Sequence, residues 1–364
     1  MHVLMLLACV GTEEGAGANG ATTTALGVGD GELDAGAADW TYILGDEEQL
    51  TDPRDMGFDP DGNLWIANRK DDRTFIVSDP GTADQDYDRR KDGYAEHFME
   101  ETAALAFEDT SGANDFGNEF GSCGESLNTY NDSGPPNELM GPVLWSADLD
   151  IFAEENPSGA GSHLDMLHES PNCVGIAWEQ DSVYWVFDGF HSAVVRYDFQ
   201  VDHGIGQDDH RDGVIYQLSE VEVTRVQDAP GHMEIDRSTG ILYVADTGGG
   251  RVLWIDTGTG EKGSKIRQPQ EPIDAYAEWD GAEWGELITG LDRPGGLALD
   301  GKGHLFVGEF GTGVLHAYDL DGGAIQSLDT TWGEGALYGI EIGPDGALWA
   351  VNNDQKAVHR LEPE

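Results

Sequence analysis

Residues 231–256 read GHMEID, RSTG, ILYVAD, TGGG, RVLWID. Three short apolar runs are separated by turn residues. Ile241, Tyr243 and Ala245 alternate with Leu242, Val244 and Asp246, a period of two that predicts strands rather than helix. The same arrangement returns at 294–319 (PGGLALD, GKG, HLFVGE, FGTG, VLHAYD) and at 338–362 (YGIEIG, PDG, ALWAVN, NDQK, AVHRLE). Earlier copies start at Pro53 (PRDMGFD, PDG, NLWIAN) and Cys173 (CVGIAW, SVYWVFD, SAVVRYDF). A multi-strand unit recurring every roughly 40–60 residues is the mark of a propeller blade.

Six inner strands can be aligned, centred on Met56, Leu105, Ile176, Met233, Leu297 and Ile340. The last copy supplies only three strands, and WTYIL at 40–44 precedes the first. The expected fold is therefore all-β, a six-bladed β-propeller with an N-terminal strand closing the last blade and removing exposed edges. The expected organisation is a signal-like segment at 1–9, a flexible Gly, Ala and acidic tether at 10–39, and the propeller at 40–364. Blade two is the irregular one. A Gly-, Asn- and Ser-rich insertion surrounds Cys123, and a second insertion, 153–171, precedes blade three. Insertions on a repeat scaffold gather on one face and carry specificity.

Lys and Arg total 19 against 70 Asp and Glu, a formal net charge of −51. Such a surface repels nucleic acid and anionic membranes and attracts cations, and it also serves solubility. No apolar run is long enough to span a bilayer as a helix. Leu6-Leu7-Ala8-Cys9 resembles the lipobox of bacterial lipoproteins, although the basic residues that open an ordinary signal peptide are missing. The resemblance implies lipidation at Cys9, an extracytoplasmic place in the cell envelope, and contact with membrane only through the anchor. In an oxidising compartment Cys123 and Cys173 would form a disulfide, two unpaired thiols being the alternative.

His163, His168, His191 and His232 fall in segments that a propeller gathers on its top face, around the channel mouth, and His97 is a weaker fifth. Convergence would give a site for Zn, Cu or Fe; unconnected loop histidines are the other reading. His203 and His210 fall in a loop expected on the opposite face, where Asp202, Asp208, Asp209 and Asp212 offer hard ligands for Ca²⁺ or else a solvated acidic turn. The DPDGN stretch at 59–63 reads as a hairpin turn without a ligand role. Asn68, Asp188, Asp246, Glu309 and Asn352 end the second strands of five blades, and hydrogen bonding to the following loop is the expectation, as between Asp246 and Arg251. Nucleophile elbows, HExxH and phosphate loops are lacking.

Leu242-Tyr243-Val244-Ala245-Asp246 with Arg251-Val252 resembles an NHL repeat, and the likeness runs through most of 53–361. It implies a six-bladed propeller but no single activity. Peptidyl-hydroxyglycine amidating lyase is similar in architecture, but its three zinc-binding histidines are not reproduced, since only His232 opens an inner strand. Arg54, Arg293 and Tyr338 at the mouth are the candidates for polarising a substrate. In gluconolactonase-type propellers, Asn172 has a counterpart among the cation ligands. The functional expectation is an exported, lipid-anchored propeller binding a small molecule, peptide or envelope protein on its top face, with a His-bound metal. The alternative is a metal-dependent lyase or hydrolase using the same histidines.

Overall fold

The computed structural model describes residues 25–26, 32–33, 38–108, 116–127, 139–157, 159–207 and 209–362. Cys9 and Asp208 lie outside the described residues. The alternation at 241–246 becomes a strand, Ile241–Asp246, between Met233–Asp236 and Arg251–Asp256, with Val244 opposite Met233 and Asp246 opposite Arg251. Leu242, Val244, Leu253 and Ile255 are fully buried, packing toward the neighbouring blade with Trp185 and Phe187. Blade four is completed by Glu283–Thr289.

Six such sheets form the propeller, and their inner strands are Pro53–Phe58, Thr102–Phe107, Cys173–Gln180, Met233–Asp236, Pro294–Leu299 and Leu337–Ile342. The six expected centres all lie on these strands. Trp40–Leu44 pairs antiparallel with Ala357–Leu361, Trp40 opposite Leu361, so the N-terminal strand closes blade six. The inner strands crowd the axis. A Cβ at Gly175 would lie 2.1 Å from the Gly231 carbonyl oxygen, so only glycine lets these strands meet.

Three details depart from the expectation. The stretch around Cys123 is not an insertion: Glu119–Gly124 is the buried second strand of blade two. Its small residues hide the alternation because the neighbour fills their space; a Cβ on Gly121 would lie 2.8 Å from Ile176 and Tyr184 side-chain atoms. The segment after blade four's third strand leaves its blade, and Glu261–Lys265 and Ala275–Asp280 extend blade three to six strands. Within the expected tether, Leu26 is buried against blades five and six, its N–H donates to Gln326 Oε1 at 2.9 Å, and Glu32–Leu33 pairs with Ala324–Asp329. Part of that segment is thus docked rather than free. Among the described residues no helix is long and apolar enough to cross a membrane.

Candidate functional site

The buried acids and amides that end the second strands hold loops. Asn68 Oδ1 accepts from the N–H groups of Thr51 and Asp52, Asp246 Oδ1 from those of Thr224 and Gly249, and Glu309 Oε1 from that of Asp292. Arg251 Nε donates to Asp246 Oδ2 at 2.8 Å, the pairing expected from the repeat. Asn352 and Asp188 do the same work, accepting from Gln355 and from Phe190 and His191. This column is structural.

At the mouth of the hub, Arg54 Nη1 donates to the Asp228 carbonyl oxygen (2.9 Å) and to Tyr338 Oη (3.1 Å), while Tyr338 donates to the same carbonyl (2.6 Å). Asp52 neutralises Arg54 at 2.9 Å. Burial, in an acidic neighbourhood that Arg54 only partly offsets, pushes Tyr338 up to about 12. Arg54 and Tyr338 therefore converge as expected, but they are engaged in holding the loop that crosses the mouth. Arg293 stands apart, paired with Asp292 and Glu334.

Beside this plug lies a polar pocket of about 400 Å³ whose walls include Arg69, Glu125, Ser126, Asn172 and Arg225. Glu125 Oε1 accepts from Arg225 and from the Asp228 N–H, and Arg69 reaches Oε2 at 3.3 Å. The disulfide Cys123–Cys173 runs beneath, with a Cα–Cα distance of 5.7 Å. The expected bridge is present.

The four histidines expected to share an ion do not. His163 and His168 line one cavity of about 250 Å³ at the rim between blades two and three. His191 instead lies 2.7 Å from Asp188 Oδ2, and His232 is buried in the hub 3.4 Å from Asp55 Oδ1. Burial disfavours a proton on His191, but the Asp188 hydrogen bond and charge outweigh it and raise its pKa. The rim cavity takes in two others, His97 from the short helix Ala95–Phe98 and His210, which the strand order had sent to the opposite face. His210 arrives because the connection at 159–168 drops along the outer edge of blade two and forms its fourth strand, Asp165–Met166. His168 Nδ1 is 2.6 Å from Glu271 Oε1, His210 Nδ1 is 2.6 Å from Asp165 Oδ1, and His163 Nδ1 donates to the Ala160 carbonyl at 2.9 Å. Among the described residues no three His, Cys, Asp or Glu side chains stand ready in a coordination sphere.

The expected calcium ligands also disperse. Arg211 binds Asp209, His203 binds Asp212 at 2.8 Å, and Asp202 hydrogen-bonds Glu119. Burial and the Asp202 charge push Glu119 up to about 9, so this pair holds a proton. Asp59 accepts from Asp61, Asn63 and Trp65, which confirms a hairpin turn. Sequence reasoning missed Glu234 and Glu341, which line a cavity of about 330 Å³ at the lower end of the hub. Period two was the available signal, since Met233 and Ile235 pack outward and leave Glu234 facing the axis.

These features define a six-bladed β-propeller with a polar pocket at the top of its hub. No family sequence model and no curated protein matches the chain. Solved structures do resemble it. A Bacteroides thetaiotaomicron protein of unknown function shares 12% identity over 92% of this chain and 75% of its own, with TM-score 0.53. Regucalcin, a calcium-binding protein from Agrobacterium tumefaciens, shares 13% over 92% and 96%, with TM-score 0.52. A catalytically inactive virginiamycin B lyase from Staphylococcus aureus with quinupristin shares 14% over 89% and 99%, with TM-score 0.51. At these identities the likeness is one of fold.

Proposed function

We propose that the protein is an exported, lipid-anchored propeller that binds a small polar ligand, or a polar group of a peptide or envelope partner, in the mouth pocket. The observation that carries this reading is the disulfide tying two walls of the pocket together: Cys123 lies two residues before Glu125, and Cys173 adjoins Asn172. A site on connecting loops needs such bracing to hold its geometry. A structural disulfide is also what an oxidising compartment maintains, which supports export, while the proposed lipidation at Cys9 rests on the Leu6-Leu7-Ala8-Cys9 stretch alone. The walls mix guanidinium, carboxylate, hydroxyl and amide groups, suiting a polyhydroxylated or zwitterionic ligand.

A lactonase-type cation beside Asn172 would need a free carboxylate. Each carboxylate of the wall is already engaged, Glu125 by Arg69 and Arg225, Glu101 by Arg69 and Glu100 by the Ser126 hydroxyl, so these residues do not fit a divalent ion and no reaction step is assigned to one. The test is thermal shift of the full chain against sugar acids, lactones and amino acids. A compound at a hundred times its Kd should stabilise the protein by about 2.7 kcal/mol, and Asn172→Ala and Arg225→Ala should abolish the shift. A shift that persists in both variants would move the site elsewhere. Lactone turnover lost on chelation would replace binding with hydrolysis. Release from membranes in Cys9→Ser tests the anchor.

A further inference from the structure

We infer that the rim cavity between blades two and three binds a zinc-class divalent transition ion through the imidazoles of His97, His163, His168 and His210. The site is separate from the mouth pocket and does not depend on its function. Four imidazoles from three stretches of chain face one cavity, whose remaining walls are Tyr94, Phe98 and Ala160. Three of them are held from behind at Nδ1, His163 by the Ala160 carbonyl, His168 by Glu271 and His210 by Asp165, and Glu271 Oε2 also stands 3.7 Å from His210 Nε2. A carboxylate or carbonyl on one ring nitrogen fixes the tautomer and presents the other as a lone pair, the outer-shell arrangement of histidine–metal sites.

Distances agree. His97 Nε2 and His168 Nε2 lie 3.4 Å apart. Two nitrogens bound tetrahedrally at Zn–N distances of about 2.0–2.1 Å stand about 3.3–3.4 Å from each other. His163 is only 1% exposed, and its Nε2 is buried without a hydrogen-bond partner, a cost that a ligand would relieve. Its ring stacks on Phe98 with centroids 3.8 Å apart, which together with the Ala160 hydrogen bond fixes the ring plane at the cavity wall.

The donor set decides the class of ion. Imidazole nitrogens suit zinc and its first-row neighbours, whereas Ca²⁺ and Mg²⁺ demand oxygen. Thiolate competition is absent among the described cysteines, since Cys123 and Cys173 are joined to each other. The ion would tie the helix Ala95–Phe98 to the connection at 163–168 and to the loop bearing His210, with Glu271 reaching in from the strand pair that blade four lends to blade three.

The test is isothermal titration of the chelator-treated full chain with ZnCl₂, together with visible absorption on adding CoCl₂. One ion per chain with a sub-micromolar Kd and tetrahedral cobalt bands are expected. The double variant His168→Ala/His210→Ala should lose at least 100-fold in affinity, and Glu271→Gln 10–100-fold. His191→Ala and His232→Ala should bind as the wild type does. Circular dichroism of metal-free variants separates lost ligation from lost folding, and His168→Gln keeps the bulk where alanine unfolds. Zinc binding that is substoichiometric, unaltered in the double variant, or displaced by equimolar CaCl₂ would overturn the assignment.

Discussion

The mouth and the rim are both assembled from connections between blades, yet opposite means hold them. At the mouth a covalent bridge braces the walls and the carboxylate Glu125 is matched by two guanidiniums. At the rim the walls are imidazoles, with Glu271 behind His168 and Asp165 behind His210, and Glu271 also stands 3.7 Å from His210 Nε2. The difference teaches that a pocket whose charges are paired is braced to keep its shape, while one walled by imidazoles has the donor chemistry for the cation proposed above. Histidine shows the contrast within one residue type. Asp188 raises the pKa of His191 despite its burial, whereas at His163 burial outweighs the Ala160 carbonyl and the Asp92 charge and holds the pKa down to about 4.

The largest expected effect breaks the mouth. Cys123→Ser/Cys173→Ser opens a loop of 50 residues, and chain entropy sets the loss near 4 kcal/mol. Denaturant unfolding measures it, and zinc affinity at the rim should not follow. Next, Arg69→Met takes one guanidinium away from Glu125, which is 5% exposed, and from Asp228 and Glu101 as well. A loss of about 3 kcal/mol is expected by the same measurement; an unchanged midpoint would mean that the mouth is not braced by its ion pairs. Asp246→Ala removes three hydrogen bonds within blade four and should cost about 2 kcal/mol without touching ligand binding or metal.

The smallest effect at pH 5, and one that grows with pH, is expected at the lower end of the hub. Burial and the Asp55 charge push Glu341 up to about 8, and Glu234 faces the same cavity with its own pKa raised. His232 stands against Asp55, and Arg237 lines the cavity. A carboxyl with a raised folded pKa stabilises the fold fully below its unfolded value and loses that contribution as pH climbs through about 8. Glu341→Gln should therefore match the wild type in melting temperature at pH 5 and exceed it at pH 9. Parallel pH profiles would show that Glu341 is not held protonated.

Much of this was legible along the chain. ILYVAD and its copies announced strands because alternation is a local property, and Asp246 with Arg251 could be paired because they face each other across one hairpin. EFGSCG at 119–124 was opaque, because its small residues are completed by Ile176 and Tyr184 from the next blade. His210 was misplaced for a related reason. Strand order says which end of a blade a loop occupies, but not that a neighbouring connection will descend the blade's edge to meet it.

By itself the sequence determined the number of blades and the closing strand, since each follows from periodicity, and it offered Cys123–Cys173 as one of two readings that the structure then settled. Tertiary structure alone decided which histidines share a cavity and which carboxylates stand behind them. Glu271 reaches His168 across 103 positions only because two strands leave blade four and dock on blade three. That docking is set by backbone pairing at a sheet edge, which leaves no trace in local side-chain pattern.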